Sequence, residues 1–558
     1  MAKDKLIGRV LATEKNPTTI DEFYFWTNSD TKLNAFDIVK VERKDRSETY
    51  GVIEGISHIT DAASFLTSFI SADFGDVEAS EPTFRIGMNY AKAKVSFNTK
   101  GDYTPVHNNF KVYLAAAEEI TFALGLDKVE NPLVCGSLKM YADTEDEISL
   151  PVRLNSKFLL GMEGAHLNIS GISGLAAKTS YAMFLMKSIQ DTFAGLKDDD
   201  SSVAFVLFNV KGRDLMAIDA VNEDLDQATI DEYSKLGLST APFKNVKYYA
   251  PYCESGSFRQ STYLSREDAQ SYKDAGKLKL FKYIYEEDKE AIEMMFANVE
   301  DPNETMVSIV SKIIDENDLD FGNLSTWGEF LEKVSVNSQK GSSGAKSEIS
   351  VLSWRKFKRI VNKTIRSDSM FANRVDHSKD ECRLGDALKH IRKNEVHVID
   401  ISRLQDDKQA FVFGDAIKTI YNLRLGEYDG EDGISPPSKI VVFIDELNKY
   451  ASADAPKNSP ILRQILDVSE RGRSNGIVLF GAEQFRSGIH KRVSGNCSTH
   501  AYGRTNSIET AAAEYKSMPD TYRNMLTRLS QGEYLIQNPV FRSLLKIRFP
   551  KPIYKQFQ

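Results

Sequence analysis

The stretch NISGISGLAAKTSYAMFLM, Asn168 to Met186, decides the fold class of this chain. An apolar run leads into small residues and a Lys178-Thr179 pair, and apolar residues then recur at 182, 183, 185, 186 and 189 with helical spacing. A phosphate-binding loop needs a buried strand, small residues whose backbone N–H groups close around the anion, and a lysine and a hydroxyl that open a helix. The stretch therefore predicts a phosphate loop, with Lys178 on the phosphates and Thr179 on Mg²⁺.

The predicted loop departs from the usual motif at its glycines. One residue more than the motif allows separates Gly171 from Lys178, and Ala177 stands where the second glycine is expected. Either the loop has an extra residue, or an alanine replaces the glycine of close approach, where its methyl group disfavours positive φ and weakens nucleotide binding. An ordinary strand-to-helix turn is the alternative. The candidate nucleotide-binding residues are Gly171, Ser173, Gly174, Leu175, Ala176, Ala177, Lys178, Thr179 and Ser180.

A second stretch, GSSGAKS at 341–347, carries a similar string of letters. No apolar strand precedes it and no long amphipathic helix follows directly, so the context favours a flexible loop within 335–348.

An acidic strand supplies the second element of the predicted site. KIVVFIDEL, 439–447, is an apolar run that ends in Asp445 and Glu446. A strand that ends in two carboxylates suits Mg²⁺ coordination by Asp445 and polarisation of an attacking water by Glu446. Solvated acids at a strand end are the alternative, which is less probable when a Lys-Thr loop accompanies them.

Polar side chains follow the other predicted strands. Gln484 ends the strand GIVLFGAEQ and can sense a terminal phosphate, because the carboxyl ends of parallel strands form the ligand side of an open sheet. Arg471 and Arg473 precede that strand, and an arginine near a subunit edge can stabilise charge on a neighbour's phosphates. Surface arginines at a helix end are the alternative. The remaining polar residues that can line the same edge are Asn209, Lys211, Asp214, Asp400 and Ser402.

Length and composition indicate a soluble protein of several domains. The chain has 558 residues, 41% hydrophobic and 27% charged, with a net charge of -8. A protein that coats nucleic acid is usually basic, so any nucleic acid would need localised positive charge. Neither a signal peptide nor a membrane span is evident, and we expect a cytoplasmic protein.

The pattern of apolar runs predicts an α/β fold. Short β-branched and aromatic runs near the N-terminus predict a small barrel or sandwich. Later runs are continuously apolar, as parallel strands buried on both faces are. The predicted parts are an N-terminal β-barrel (1–130), the first part of a RecA-like ATPase core (150–255), a helical insertion (256–390), the second part of the core (391–550) and a C-terminal arm (551–558).

These pieces together resemble the HerA family, hexameric DNA-translocase ATPases of the HerA/FtsK group. IGRV, FYFW, AFDIVKVE and YGVIEGI resemble the family's barrel, and AHLNISGISG with KTS stands at its phosphate loop. FNVKGRDL, VIDISRL, FIDELNKY, RGRSNGIVLFGAEQ and LSQGEYLI resemble its later motifs. Asn209 and Glu483 stand where the family usually has Asp and Thr. The resemblance covers roughly residues 1–60, 150–220 and 390–550.

The resemblance implies a homo-hexameric ring that binds ATP and Mg²⁺ between subunits and double-stranded DNA in its centre. It also implies that the barrel meets an effector, a nuclease or a sirtuin-like NAD-consuming enzyme, as related ATPases do in anti-phage defence. On this hypothesis Glu446, Gln484, Arg471 and Arg473 are catalytic. SWRKFKR (353–359) and HKR (490–492) are candidate DNA contacts, and solvated helix faces are the alternative for them.

Two rival functions follow from the same motifs. One rival is a ring without motor activity that serves as a nucleotide-bound scaffold for its effector, and Ala177, Asn209 and Glu483 favour it. A secretion or conjugation-type ATPase is a weaker rival, since it would predict membrane tethering.

Overall fold

The structure is a computed structural model. It describes residues 5–28, 30–71, 73–75, 78, 86–161, 164–174, 177–195, 202–254, 261–339, 349–366, 368–428 and 435–557. The predicted α/β class is confirmed: a small closed antiparallel barrel precedes a large mixed sheet with helices on both faces. Within the described residues no helix combines the length and the apolar character needed to cross a membrane.

The N-terminal barrel closes in the strand order β1-β2-β5-β4-β3-β6. Alternate side chains such as Phe23, Phe25, Val39 and Val41 are fully buried inside it, which is the two-residue period of a strand with one buried face. Because the strands close on themselves, this domain is the barrel and not the sandwich that the sequence left as the alternative. The strands are β1 Leu6–Leu11, β2 Glu22–Thr27, β3 Ile38–Glu42, β4 Glu48–Thr60, β5 Gly87–Asn98 and β6 Lys111–Leu114, the last of which the sequence did not predict.

A two-stranded arm extends from this barrel. The far ends of β4 and β5 pair from Gly55 with Lys92 to Thr60 with Gly87, and helix α1 (Phe65–Ser71) lies in the connection between them. We call residues 55–71 and 86–92 the barrel arm. Its exposed apolar side chains are Ile56, Ile59, Phe65, Leu66, Phe69, Ile70 and Ile86.

The large sheet has fourteen strands, and its central part is parallel. The order is β13-β12-β11-β15-β10-β16-β17-β9-β18-β19-β20-β7-β8, with β14 paired to β12, and the strands from β19 onward are antiparallel to their neighbours. The strands are β7 Pro132–Met140, β8 Ile148–Asn155, β9 Leu167–Ser170, β10 Val203–Asn209, β11 Val246–Pro251, β12 Leu278–Ile284, β13 Phe371–Ala372, β14 Glu381–Arg383, β15 Val396–Asp400, β16 Lys439–Asp445, β17 Ile477–Glu483, β18 Thr499–Tyr502, β19 Glu533–Gln537 and β20 Leu545–Arg548.

Both faces of the parallel strands are buried, as their continuous apolar runs predict. In β10, Phe205 and Leu207 face one core, which α3 to α5 help to form, whereas Val206 and Phe208 face the other, formed by α6 to α13. The helices are α2 Ala117–Leu124, α3 Lys178–Ala194, α4 Gln227–Leu236, α5 Arg266–Asp274, α6 Tyr285–Asp288, α7 Thr305–Ile314, α8 Trp327–Asn337, α9 Val351–Ile365, α10 Leu384–Lys389, α11 Asp406–Leu425, α12 Pro460–Asn475, α13 Lys491–Asn496, α14 Ser507–Thr510 and α15 Asp520–Leu526.

Two sequence expectations are wrong. The region 256–390 is not only helical, because β12, β13 and β14 add strands to the sheet within it. The C-terminal segment is not an arm outside the core either, since Ile553 and Tyr554 are each 3% exposed and belong to the core that α3 packs into. The predicted loop 335–348 begins later than expected, because α8 continues to Asn337; residues 340–348 lie outside the described part of the chain.

Candidate active site

The predicted phosphate loop connects β9 to α3 and is held by its neighbours. The Gly171 N–H donates to the Glu483 carbonyl oxygen at the end of β17 (3.1 Å), and the Ile172 N–H donates to the Arg504 carbonyl oxygen beyond β18 (2.8 Å). The start of the loop is therefore fixed to the strands on both sides of β9. Leu175 and Ala176, which we predicted to bind nucleotide, lie outside the described residues.

Ala177 adopts a conformation that glycine favours. Its φ of 49° and ψ of 44° are left-handed, and it caps α3 without a side-chain hydrogen bond. Asp226, by contrast, caps α4 with a carboxylate that accepts from the Thr229 N–H. The N-terminal end of the 17-residue helix α3 thus receives no capping side chain from Ala177, and the helix dipole at this end favours an anion.

Lys178 is folded back into the loop. Its ammonium donates to the Gly171 carbonyl oxygen (2.9 Å) and to the Ser173 hydroxyl (3.2 Å), and the residue is only 6% exposed. Burial lowers the pKa of Lys178, while the nearby Asp445 carboxylate opposes that shift. An ammonium ion buried among carbonyl and hydroxyl oxygens can exchange these partners for phosphate oxygens.

Thr179 and Asp445 meet although they are 266 residues apart. The Thr179 hydroxyl lies 3.3 Å from an Asp445 carboxylate oxygen, and Asp445 is 7% exposed. The strand β17 alone separates β9 from β16, so the carboxyl ends of the three parallel strands bring these side chains to one edge. A hydroxyl and a carboxylate are oxygen ligands of the kind Mg²⁺ prefers, with phosphate and water completing its shell. The residues fit a magnesium ion.

Glu446 follows Asp445 in a strained conformation and is held by two lysines. Its φ of 55° is left-handed, which is uncommon for a residue with a side chain. The Lys211 ammonium lies 2.5 Å from one carboxylate oxygen and the Lys449 ammonium 3.6 Å from the other. Burial opposes the shift, but the ion pair with Lys211 and the charge of Lys449 lower the pKa of Glu446.

Asn209 and Asp400, which were expected at one edge of the sheet, meet beside this site because β10 and β15 are neighbours. The Asn209 amide donates to Asp400 (2.9 Å) and to the Gly212 carbonyl oxygen (3.0 Å), and the Ser402 hydroxyl donates to Asp400 (2.6 Å). The Leu215 N–H donates to the Asn209 side-chain oxygen (3.3 Å). Asn209 therefore braces the turn that carries Lys211, and Asp214 lies on the same turn.

The end of β17 carries two polar residues of different character. Gln484 directly follows the strand at the carboxyl edge and is half-buried. Glu483 is fully buried, and burial raises the pKa of its carboxyl to about 8 against the opposing charge of Arg486.

Arg471 and Arg473 do not join the site of their own chain. Both are exposed on the last turns of α12, which leads into the amino end of β17, whereas Lys178 and Asp445 lie at the carboxyl end of the strands. Within one chain the two arginines are therefore at the opposite edge of the sheet.

Sequence reasoning missed several contacts of the site. It did not pair Lys211 or Lys449 with Glu446, and it placed Tyr554 in an arm, whereas Tyr554 and Ser180, in the first turn of α3, line the same cavity. The only available signal was the shared sheet edge, which predicts proximity but not partners.

Three features define a P-loop fold of the RecA-like type. They are the loop after β9, the acidic strand β16, which is separated from β9 only by β17, and the parallel order of these strands. No protein-family model matches the sequence, and no curated protein sequence matches it. Among solved structures, VirB4 of Thermoanaerobacter pseudethanolicus is similar over 75% of this chain and 96% of its own, with 12% identity and a TM-score of 0.42.

Two further structures are similar over parts of the chain. The bacterial conjugative coupling protein TrwB matches 70% of this chain and 86% of its own (10% identity, TM-score 0.40), and TrwB has also been solved with ADP and Mg²⁺. The genome packaging NTPase of Sulfolobus turreted icosahedral virus 2, in complex with ATP-gammaS, matches 30% of this chain and 72% of its own (15% identity, TM-score 0.23). Likenesses at these TM-scores carry no functional argument, so the side chains of the site must carry it.

Proposed function

We propose that this chain is a magnesium-dependent ATPase. The observation that carries the proposal is the 3.3 Å contact between Thr179 and Asp445 at the mouth of a loop whose lysine, Lys178, is buried with its ammonium among oxygen atoms. Taken alone, each of these features has an ordinary structural explanation. Their convergence with Glu446 at one sheet edge is the arrangement that phosphoryl transfer to water requires.

The chain's own side chains divide the work of hydrolysis. Lys178 and the N-terminal end of α3 bind the phosphates, and Thr179 and Asp445 would hold Mg²⁺, which supplies neutralisation of phosphate charge. Glu446, once released from Lys211, orients a water and accepts its proton as the water oxygen bonds to the terminal phosphorus and the bond to ADP breaks. Gln484 contacts the terminal phosphate.

Phosphate release from ATP tests the proposal. We expect turnover that needs Mg²⁺ and that is lost in Lys178→Ala and in Glu446→Ala, with thermal unfolding close to that of the parent protein. Lys157→Ala, which removes an exposed lysine away from the loop, is the matched control and should leave turnover unchanged. Normal turnover in both site variants would show that the site is misassigned.

We further propose that the active form is a homo-hexameric ring. Arg471 is exposed, with a long 4.0 Å contact to Asp467, and with Arg473 it lies at the edge opposite its own chain's site, so either arginine can reach phosphate only on a neighbouring copy. Arg471→Ala should keep ATP binding and lose turnover, with Arg473→Ala as the comparison. A monomer that hydrolyses ATP at a concentration-independent specific rate would rule the ring out.

We propose that the ATPase acts on double-stranded DNA in the cytoplasm and moves along it. The two basic stretches expected to contact it are engaged within the chain: Lys356 donates to the Glu300 carbonyl oxygen, Lys358 to the Ser335 hydroxyl, and Arg492 forms a bidentate pair with Glu470. DNA contacts by these residues would therefore replace existing bonds. A steep loss of DNA affinity between about 50 and 200 mM salt would support phosphate contacts, and salt-independent binding would oppose them.

The effector of the proposed anti-phage system, a nuclease or an NAD-consuming enzyme, would dock on the barrel. The support is the barrel arm, where Phe65 is 98% and Leu66 is 65% exposed, because a cluster of exposed apolar side chains is costly in water and marks protein contacts. Co-expression with the product of the adjacent gene, with Phe65→Asp and Leu66→Asp against an Ile508→Asp control, tests this. Binding that survives both arm variants would place the effector elsewhere.

A further inference from the structure

The carboxylate of Glu446 is occupied in the structure. Lys211 contacts one of its oxygens at 2.5 Å, and Lys449 lies 3.6 Å from the other. While the 2.5 Å ion pair with Lys211 persists, that carboxylate oxygen cannot also hold and deprotonate a water molecule. Some event must release Glu446 before it can act, and the position of Lys211 indicates what that event is.

Lys211 lies near other charged groups of the site besides Glu446. Its ammonium lies within electrostatic range of the Lys178 ammonium and of the Asp445 carboxylate. Its side chain is 40% exposed, so it can move. The turn beneath it is braced by Asn209, which bonds to Gly212 and to Leu215. A partly exposed ammonium on a fixed turn thus lies near both Glu446 and the loop lysine.

Lys449 differs from Lys211 in its surroundings. It contacts Glu446 from the residue three positions further along the chain, and its other neighbour is Asp406 at 3.8 Å, on α11. It contacts the other carboxylate oxygen of Glu446 and, unlike Lys211, also contacts α11, which makes it a matched control.

We propose that Lys211 is a phosphate-contacting residue that distinguishes ATP from ADP: its ammonium leaves Glu446 for the terminal phosphate of ATP and returns when only ADP remains. This inference rests on the proposed function. The terminal phosphate carries more negative charge than a carboxylate and offers more oxygens, so it competes for the ammonium. Glu446 is then free to orient water only while a triphosphate is bound, which couples its activation to the presence of the substrate.

The first test compares nucleotide affinities in the presence of Mg²⁺. Lys211→Met keeps the aliphatic length without the charge. It should weaken binding of the non-hydrolysable β,γ-imido analogue of ATP about 10- to 100-fold, as expected for a lost charge-assisted hydrogen bond, and leave ADP binding unchanged. Lys449→Met should change neither affinity, and Lys211→Arg should restore part of the discrimination. An equal loss for both nucleotides, or no loss, overturns the inference.

The second test is a double-mutant cycle with Glu446. Glu446→Gln removes the competing carboxylate charge, so the analogue should bind up to about fivefold more tightly than to the parent protein. That gain should vanish when Lys211→Met is also present. A gain that persists without Lys211 overturns the inference. A parent protein that hydrolyses ATP while either test fails keeps the proposed function intact, whereas a parent protein that binds neither nucleotide overturns both.

Discussion

Replacement of Glu483 by glutamine should make the stability of this protein less dependent on pH. Glu483 ends β17 beneath the phosphate loop, is 0% exposed, and neither of its carboxylate oxygens has a hydrogen-bond partner in the described part of the chain. Burial raises the pKa of this carboxyl from 4.5 to about 8, even though the Arg486 guanidinium opposes the shift. At neutral pH the folded protein therefore holds a proton here that the unfolded chain has released.

The size and the sign of the effect follow from that difference. A pKa raised on folding contributes stability that is fully present below pH 4.5 and is lost as the pH rises through about 8. Between these values the free energy of unfolding falls by about 1.4 kcal/mol for each pH unit, or about 3 kcal/mol between pH 5.5 and 7.5. Glutamine has nearly the same size and does not ionise, so Glu483→Gln lacks this contribution to the pH dependence.

Denaturant unfolding of the two proteins at pH 5.5 and pH 7.5 measures the effect. The difference in the free energy of unfolding between the variant and the parent should shift by about 3 kcal/mol in favour of the variant at the higher pH. Titrations of other groups are common to both proteins and cancel. Glu427→Gln, at an exposed carboxylate, is the control and should show no shift. A difference that is the same at both pH values would refute a neutral, buried Glu483.

Three further changes test other parts of the structure. The His166 ring accepts a hydrogen bond from the Leu479 N–H (2.9 Å), and burial lowers its pKa to about 4, so stability should be lost as the pH falls from 6.5 to 4; His166→Asn should recover up to about 3 kcal/mol of that loss in denaturant titrations. Ala177→Gly should relieve the left-handed strain and stabilise the folded chain by about 0.5–1 kcal/mol, measured the same way. Ile553→Asp should lower the free energy of unfolding by about 3 kcal/mol, seen as a fall in melting temperature, because the C-terminal segment is core.

Sequence reasoning identified the strands whose own residues indicate that both of their faces are buried. β10, β16 and β17 are apolar at almost every position, since both of their faces are covered. β12 alternates lysine with apolar residues and lies between charged helical stretches, so its pattern does not indicate a central strand. Its Lys282 is buried only because Glu381 on β14, 99 residues further along, pairs with it at 2.6 Å. Partners that distant cannot be inferred from local pattern.

The same limit applies to the candidate site. Motif spacing and strand order predict that Lys178, Thr179 and Asp445 share one edge, and the structure brings them together. The pairing of Lys211 with Glu446 depends on the conformation of two turns and on a left-handed φ at Glu446, which no local pattern specifies. The sequence thus predicts which residues lie near one another, and the backbone conformation determines which of them are in contact.

The three departures from the resembling family bear on the choice between a motor and a scaffold. Asn209 contacts Asp400 and the turn that carries Lys211, so it still has a hydrogen-bonding role at the edge of the site. Glu483 is buried beneath the loop, and its backbone carbonyl still accepts from Gly171. Ala177 adopts the left-handed conformation that the missing glycine would supply, at a modest cost in strain. None of the three removes a group that hydrolysis needs. Loss of motor activity would have freed Asp445 and Glu446 from their roles, yet both remain beside Lys178 and Lys211, and this favours an enzyme over an inert scaffold.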